Sequence, residues 1–207
     1  MRVALLHGWA FDAALWDAVR PLLGELDCVA DERGYLGATP RGAAAEVVVG
    51  HSLGVLRALL DPPEGMQALV AINGFDCFAA RDGLPAGVAP RVLDRMQARL
   101  GSDVAAVVGE FCARCGAPDA PAHADAARLA ADLGLLRNGD GRGAWRGPLV
   151  LLDGAADPIL TEAHRAACFA DRTDAQRETV TDGGHLLPLT HPERCAMTIR
   201  SAVGVLA

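Results

Sequence analysis

The chain has 207 residues, of which 51% are hydrophobic and 22% are charged, so it can bury the core of one globular domain. Its formal net charge is −7 and all nineteen basic residues are arginine, which argues against nucleic acid as a partner. The sequence contains no long uncharged apolar stretch and no signal-peptide pattern, so we expect a soluble, cytoplasmic protein without membrane insertion.

The first part of the chain combines short apolar runs with a helical pattern. Val3 to Leu6 predicts a first strand, and apolar residues at 3.6-residue spacing predict a helix from Asp12 to Leu26, capped by Asp12 and bent at Pro21. Cys28 to Asp31 predicts a second strand. Residues 33–45 are rich in glycine and contain a proline, so they are too broken for a full crossover helix.

The alternation of strands and helices continues along the chain. Val47 to Val49 predicts a buried third strand, followed by a helix from Leu53 to Leu60. Further strands are predicted at Ala68–Ile72 and Leu149–Leu152, and Thr179–Thr181 is predicted to be the end of a sixth strand. Further helices are predicted at Glu162–Phe169 and Pro192–Leu206. Such an alternation predicts an α/β fold, with a parallel sheet covered by helices on both faces.

Residues 75–146 interrupt this rhythm over a span far longer than an ordinary loop. Their pattern is helical, with helices predicted at Pro90–Leu100, Asp103–Cys115 and Ala122–Leu136. We therefore expect one domain over residues 1–207, with residues 75–146 forming a helical insertion above the strand ends.

The stretch Gly50-His51-Ser52-Leu53-Gly54 joins the third predicted strand to the helix after it. A serine at such a sharp turn has a strained backbone and an Oγ atom that stands clear of the sheet, and the flanking glycines let strand and helix pass closely. The same spacing also arises by chance at ordinary strand–helix junctions. It therefore predicts Ser52 as a nucleophile only if a base, an acid and an oxyanion hole accompany it.

His185 is the favoured base, because it follows the sixth predicted strand and because Gly183 and Gly184 let the loop bring its imidazole over the edge of the sheet. The other five histidines are weaker candidates. His164 lies on a predicted helix, His191 at the start of the last helix and His123 in the insertion, while His7 and His51 occupy backbone turns.

The acid that orients the base should follow the fifth predicted strand, where Asp153 and Asp157 are both candidates. Asp153 lies at the strand end, whereas Asp157 lies beyond a glycine in the loop, from which it can reach sideways. We favour Asp157, for which helix capping is the alternative role. The chain order Ser52, Asp157, His185 is that of the α/β-hydrolases.

An oxyanion hole needs two backbone N–H groups aimed at one point. Leu53 supplies one at the start of its helix, and Trp9, in the turn after the first strand, is placed to supply the other. These loops meet at the carboxyl ends of the strands, where α/β sheets usually bind their ligands.

Six cysteines lie mostly in apolar segments, which favours buried thiols over disulfides. Cys112 and Cys115 have the spacing of a zinc or redox pair, but no second pair accompanies them. We therefore expect no metal and no cofactor.

Two stretches resemble the carboxylesterases that cleave pimeloyl-acyl-carrier-protein methyl ester in biotin synthesis. They are Leu5 to Trp9, followed by Trp16, and Cys77 to Pro85, which the general fold does not require. The resemblance implies a minimal α/β-hydrolase with about six parallel strands in the order 2-1-3-4-5-6 and a shortened helical lid. It also implies a serine carboxylesterase that releases methanol and uses the triad Ser52, Asp157 and His185, the oxyanion and substrate-binding residues Trp9 and Leu53, and Phe111 in the acyl channel.

The resemblance further implies a small acyl ester presented by an acidic acyl carrier protein. Residues 75–146 contain nine arginines and nine acidic residues, whereas the remainder contains ten arginines and seventeen acidic residues, so the insertion would repel such a partner least. Arg91, Arg95 and Arg99 are spaced to share one helical face, a candidate docking site whose alternative is a merely solvated face. The family's own docking arginines lie on the next helix, where this chain has Ala106 and Glu110.

Three other functions fit the same motifs. A general carboxylesterase or thioesterase would use the same triad, and so would a hydrolase of C–C bonds. A hydrolase-fold binding protein with a vestigial triad is disfavoured, because Ser52, Asp157 and His185 are all present.

Overall fold

A computed structural model describes residues 1–117, 119 and 121–206 of the chain. Six strands form one sheet: β1 (Arg2–Leu6), β2 (Asp27–Ala30), β3 (Val47–His51), β4 (Ala68–Ile72), β5 (Leu149–Gly154) and β6 (Gln176–Val180). Their order is β2-β1-β3-β4-β5-β6, and all five neighbouring pairs are parallel. The predicted sheet and its strand order are therefore confirmed.

The central strands are continuous apolar runs because both of their faces are covered. Every residue of β3 and of β4 is buried. Successive side chains of a strand point to opposite faces, and Val47 and Val49 accordingly belong to one core while Val48 belongs to the other. Because both faces are buried, these strands lack the alternation of apolar and polar residues that a half-exposed strand shows.

Seven α-helices lie in the described part of the chain: α1 (Leu53–Leu60), α2 (Pro90–Leu100), α3 (Val104–Cys115), α4 (Ala126–Asn138), α5 (Glu162–Ala167), α6 (Leu187–Thr190) and α7 (Pro192–Leu206). The predicted bounds of α1, α2 and α7 are confirmed. The helix predicted from Ala122 begins instead at Ala126, because the Asp125 carboxylate accepts hydrogen bonds from the Ala127 and Arg128 amides and caps it. None of these helices is both long enough and apolar enough to span a bilayer.

The predicted helix from Asp12 to Leu26 is wrong. This segment forms two short 3₁₀ helices, Ala13–Trp16 and Arg20–Leu23. Asp12 caps the first of them, as predicted. Pro21 explains the interruption, because a proline inside a continuous α-helix loses one hydrogen bond and clashes with the carbonyl group four residues earlier.

The helices between β4 and β5 pack on the core of the sheet. Leu93 of α2, Val107 of α3 and Leu133 of α4 belong to the same buried cluster as Val48 of β3 and Leu56 of α1. The apolar faces of these helices therefore form a wall above one side of the sheet.

Strand β1 and helix α1 cross at Gly54, where there is no room for a side chain. A Cβ atom at Gly54 would overlap the carbonyl oxygen of Leu6 in β1. Gly50 is equally confined, because its Cβ would lie 2.6 Å from the backbone nitrogen of Val55. The two glycines of the serine motif therefore let the helix approach the sheet.

We predict that Gly54→Ala lowers the free energy of unfolding by about 1–3 kcal/mol, because the added methyl group meets a backbone atom that cannot rotate away. Urea unfolding measures the change. The matched control is Gly134→Ala in the interior of α4, where nothing lies within 4 Å of the added methyl group. This control should raise the stability by about 0.5–1 kcal/mol. An unchanged urea midpoint for Gly54→Ala would contradict the close crossing.

Candidate active site

Ser52 lies at the turn between β3 and α1 in a conformation that residues with a side chain rarely adopt, with φ +53° and ψ −121°. Its backbone N–H donates a hydrogen bond of 3.1 Å to the carbonyl oxygen of Ile72, which ties the turn to β4. The Ser52 residue is 5% exposed and lines a cavity. This is the strained strand-to-helix turn that the sequence pattern predicts.

His185 and Asp157 form a buried pair beside this turn. The distance from His185 Nδ1 to Asp157 Oδ2 is 2.7 Å, and neither side chain is exposed to solvent. The other carboxylate oxygen accepts hydrogen bonds from the backbone amides of Ile159, at 2.7 Å, and Leu160, at 3.0 Å. Both carboxylate oxygens of Asp157 therefore accept hydrogen bonds, three in all.

These donors decide the charge of Asp157. Burial acts to raise the pKa of Asp157, but the hydrogen bond and charge of His185, together with the two amides, hold this pKa below its usual value. An ionised carboxylate can only accept hydrogen bonds. The neutral imidazole therefore carries its proton on Nδ1 and presents a lone pair at Nε2, as a general base requires.

Asp153, the alternative acid, lies near the end of β5 and has a different ionic partner. Its carboxylate is 3.7 Å from the Arg177 guanidinium group, and burial raises its pKa. Both ring nitrogens of His185 are accounted for without Asp153, since Nδ1 faces Asp157 and Nε2 has no hydrogen-bond partner in the described part of the chain.

Ser52 Oγ and His185 Nε2 are therefore not hydrogen-bonded in this structure. Bonds of this kind are often long until a substrate tightens them. The two loops are nevertheless in contact, because His51 Nε2 is 2.8 Å from the carbonyl oxygen of His185. The centroids of these two imidazole rings are 4.9 Å apart.

Two backbone amides flank the serine. Leu53 is the first residue of α1, so its N–H has no acceptor within the helix. The turn that contains Trp9 lies against the serine turn, because a Cβ atom on Gly8 would lie 3.1 Å from Ser52 Cβ. The Trp9 indole is held by a hydrogen bond of 2.9 Å from Nε1 to the carbonyl oxygen of Leu129 in α4.

A cavity of about 240 Å³ extends from Ser52 between the sheet and the helices above it. Apolar side chains from α3, α4 and the Trp9 turn line it, including Phe111 and Leu133. The rings of Trp9 and Phe111 meet edge to face, with centroids 4.9 Å apart. The residue that the resemblance places in the acyl channel therefore shares a cavity with Ser52.

Four charged side chains, all exposed or half-buried, also line the cavity. Arg95, Arg99, Glu110 and Arg114 contribute to it, whereas Arg91 is exposed outside it. Arg99 forms a bidentate ion pair with Glu110, with nitrogen–oxygen distances of 2.7 and 2.6 Å. Arg91 and Arg95 have no ionic partner within the described ranges. The predicted arginine face is therefore reduced to two uncompensated charges.

Cys112 and Cys115 are free thiols buried on α3, and burial raises the pKa of both. The described residues contain no group of three or more potential metal ligands. His164 is also buried, with its Nε2 atom 3.1 Å from the carbonyl oxygen of Cys77. His191 is half-buried, with its Nε2 atom 3.3 Å from the exposed Asp182 carboxylate.

Sequence reasoning missed a polar residue at the centre of the site, Asn73. It follows β4 with φ +43°, and its side-chain nitrogen donates to the carbonyl oxygens of Gly184, at 2.8 Å, and His185, at 2.7 Å. Its side-chain oxygen accepts a hydrogen bond of 2.7 Å from the Gly154 amide. The available signal was an Asn-Gly pair at a strand end, since asparagine tolerates a positive φ.

A second missed feature anchors α4. The Arg33 guanidinium group binds the Asp132 carboxylate at 2.8 and 2.6 Å, and the Tyr35 hydroxyl group donates to the same carboxylate. Burial and the charge of Asp132 raise the pKa of Tyr35, so its hydroxyl group keeps its proton. Because these partners lie far apart in the chain, the sequence carried no signal for the link.

Comparisons with known proteins identify what the chain is similar to. No protein-family model matches it. Curated proteins named pimeloyl-[acyl-carrier protein] methyl ester esterase, from Salmonella heidelberg (strain SL476) and Salmonella agona (strain SL483), are each 33% identical over 131 residues. The match covers 54% of this chain and 51% of each relative, so the chain spans about half the length of these proteins.

Solved structures match nearly the whole chain. An esterase from Exiguobacterium antarcticum has a TM-score of 0.82 at 17% identity and covers 99% of this chain and 92% of its own. A hydrolase from Pseudomonas aeruginosa PA01 has a TM-score of 0.74 at 18% identity and covers 98% of this chain and 89% of its own. The chain therefore has the α/β-hydrolase fold, and its resemblance to the pimeloyl ester esterases is confirmed.

We predict opposite stability effects at the two neighbouring acids. Asp157→Asn lowers the free energy of unfolding near neutral pH, because folding lowers the pKa of Asp157 and so stabilises its ionised form. This contribution is fully present above the unfolded pKa of about 3.9 and is lost as the pH falls through the folded pKa.

Asp153→Asn is the matched control. Folding raises the pKa of Asp153, so its ionised form destabilises the protein as the pH rises, and the amide should leave the neutral-pH stability unchanged or increase it. Urea unfolding at several pH values between about 3 and 7 measures both variants. Equal destabilisation by the two substitutions at neutral pH would contradict the assignment of His185 to Asp157.

Proposed function

We propose that the chain is a serine carboxylesterase that hydrolyses the methyl ester of a dicarboxylic acyl chain bound to an acyl carrier protein. The observation that carries this proposal is the strained Ser52 turn beside the buried His185–Asp157 pair, at one end of an apolar cavity. The substrate class comes from the curated relatives, whose name states a pimeloyl-[acyl-carrier protein] methyl ester. A carrier-bound substrate also fits a cytoplasmic location.

The proposed reaction begins with attack by Ser52 Oγ on the carbonyl carbon of the ester. The Nε2 atom of neutral His185 takes the hydroxyl proton, and Asp157 holds the Nδ1–H group and stabilises the imidazolium ion. The carbonyl oxygen becomes an oxyanion, and the N–H groups of Trp9 and Leu53 donate to it.

Collapse of this intermediate breaks the bond to the alkoxy oxygen, which leaves as methanol after His185 returns the proton. The acyl group is then bonded to Ser52. A water molecule gives a proton to His185 and attacks the acyl carbon, and the second collapse releases the carboxylic acid and restores the serine. Each proton that leaves an oxygen is thus received by Nε2.

The cavity supports a slim acyl chain as the substrate. Its volume of about 240 Å³ lies below the range of roughly 300–1,000 Å³ that small-molecule pockets usually have. We propose residues 75–146 as its lid, because Phe111 of α3 and Leu133 of α4 line the same cavity as Ser52. The exposed arginines would then face the carrier.

We predict that Ser52→Ala lowers the hydrolysis of short p-nitrophenyl esters by more than about 10³-fold, because the nucleophile is lost. Ser201→Ala, at an exposed serine of α7, is the matched control and should leave the rate unchanged. A fluorophosphonate should label wild-type Ser52 and fail to label Ser52→Ala.

Asp157→Asn should lower kcat by about 10³–10⁴-fold, and Asp153→Asn should lower it much less.

The same preparation tests the substrate. Methanol release from a carrier-bound pimeloyl methyl ester, and growth of a biotin-requiring host that lacks its own esterase, should both depend on Ser52. Cleavage of small esters without activity on the carrier-bound ester would replace the proposal by a general carboxylesterase. Near wild-type turnover by folded Ser52→Ala would overturn the serine mechanism itself.

We predict that the double substitution Arg91→Glu and Arg95→Glu lowers kcat/KM for the carrier-bound ester about tenfold or more at low salt. Two uncompensated positive charges become negative and repel an acidic carrier, which slows association. Arg99 is left in place, because its pair with Glu110 already compensates it.

Arg20→Glu makes the same kind of charge change at an exposed arginine outside the insertion and is the control. A small free ester needs no carrier contact, so its kcat/KM should fall far less than that of the carrier-bound ester. Equal losses on both esters would indicate damaged packing of α2. No loss on either would leave the arginine face as an ordinary solvated surface.

A further inference from the structure

The main chain of His185 is held by two buried side chains. Its carbonyl oxygen accepts hydrogen bonds from His51 Nε2, at 2.8 Å, and from Asn73 Nδ2, at 2.7 Å. All three residues are fully buried. The loop that carries the proposed base is therefore fixed through its backbone as well as through its ring.

Asn73 binds this loop and the end of β5 at the same time. Its side-chain nitrogen holds Gly184 and His185, while its side-chain oxygen accepts the N–H group of Gly154, at the end of β5. Its backbone N–H donates to the carbonyl oxygen of Leu152 at 2.9 Å. One amide group thus connects the ends of β4 and β5 with the loop after β6.

Few side chains could make this set of contacts. The site requires a donor for two carbonyl oxygens, an acceptor for one amide and a backbone with φ +43°. Asparagine supplies both kinds of hydrogen-bonding group and tolerates positive φ better than most residues.

His51 supplies the second donor from the residue next to the proposed nucleophile. Burial, more than the neighbouring His185, lowers the pKa of His51 to about 3, so the ring stays neutral at physiological pH. Since a carbonyl oxygen can only accept, the proton of this neutral ring is on Nε2. The serine turn is thereby bonded directly to the base loop.

The imidazole of His185 depends on this backbone support. Its only side-chain hydrogen bond within the described part of the chain is the one from Nδ1 to Asp157. The residues before it, Gly183 and Gly184, have no side chain with which to anchor the loop. A displacement of about 1 Å at a reacting group can cost about 10²-fold in rate.

We propose that Asn73, together with His51, is a positioning residue that fixes the main chain of His185, so that Nδ1 meets Asp157 and Nε2 is available to Ser52. This inference rests on the proposed serine-hydrolase function. Asn73 acts through His185 and does not touch the reacting atoms.

The decisive variant is Asn73→Asp. It keeps the size of the side chain, an acceptor for the Gly154 amide and a residue type that tolerates positive φ. It replaces the donor with a carboxylate oxygen that faces two carbonyl oxygens. We expect kcat for a p-nitrophenyl ester, and the rate of fluorophosphonate labelling, to fall about 10–100-fold with little change in KM.

Asn138→Asp is the matched control. Asn138 is the other asparagine followed by glycine in this chain, and it is exposed at the end of α4. The same chemical change there should leave kcat, KM and labelling at wild-type values.

Two further variants separate the donor from the added charge. Asn73→Gly accepts the positive φ and adds no charge, so it should also lower kcat. At the second donor, His51→Gln places an amide nitrogen near the position of Nε2 and should retain most of the rate, whereas His51→Phe should not. If only the size of the side chain at position 51 mattered, His51→Gln would not retain a higher rate than His51→Phe.

Proton NMR provides a readout that does not depend on turnover. The Nδ1–H proton shared by His185 and Asp157 should give a low-field resonance in wild type and in Asn138→Asp. This resonance should shift or broaden in Asn73→Asp and Asn73→Gly. A lower kcat with an unchanged resonance overturns the inference, and so do wild-type kcat and an unchanged resonance in both Asn73 variants.

Failure of the proposed function would be visible separately. If the wild-type protein neither cleaves esters nor reacts with the fluorophosphonate, the proposed esterase is overturned. The resonance of the His185–Asp157 pair then still decides whether Asn73 holds the imidazole in place.

Discussion

The close crossing of α1 over β1 is the constraint on which the geometry of the site depends. Gly54 lies so near the Leu6 carbonyl group that a side chain there would overlap it, so α1 leaves the end of β3 in close contact with β1. Ser52 absorbs the resulting change of direction in its positive φ. The strain is tolerated because β3 is buried on both faces and paired with β1 and β4, which leaves the turn no alternative path.

Around this turn, buried polar groups are arranged in linked pairs. Asp157 faces His185, while Asn73 and His51 bind the backbone that carries the imidazole. In a low-dielectric interior each of these bonds is strong, and an unpaired polar group is costly. Two ring nitrogens beside the turn are exceptions, because His185 Nε2 and His51 Nδ1 are buried without a hydrogen-bond partner in the described part of the chain. An unpaired lone pair of this kind is the chemical property that a base needs.

The helices between β4 and β5 are coupled to the site through α4. This helix holds the Trp9 indole through the Leu129 carbonyl group and is itself held by the Arg33–Asp132 ion pair. The same helix contributes Leu133 to the cavity. The wall of the cavity and the turn that contributes one of the proposed oxyanion donors are therefore parts of one packed unit. A change in α4 would affect both the shape of the cavity and the position of the Trp9 amide.

Local properties of the chain were sufficient to predict the sheet and most helices. Apolar runs between glycines marked the strands, and the predicted strand order follows a resemblance that the structure confirms. The prediction of a helix from Asp12 to Leu26 is wrong because it treats Pro21 as a bend in one helix, whereas the chain is interrupted before this proline and forms two short 3₁₀ helices. The start of α4 was misplaced because the capping role of Asp125 depends on where the chain arrives from the preceding loop.

The sequence by itself determined the strained serine turn, because that turn depends on residues adjacent in the chain, Gly50, Ser52 and Gly54. Which of Asp153 and Asp157 contacts the imidazole required the tertiary structure, since Asp153 lies near the end of β5, Asp157 lies in the loop after it, and only Asp157 is bonded to His185. The contacts of Asn73 required the tertiary structure for the same reason, although its Asn-Gly pair is visible in the sequence. Its function lies in contacts with residues about 80 and 110 positions away, and local patterns carry no information on pairings that only the folded sheet brings together.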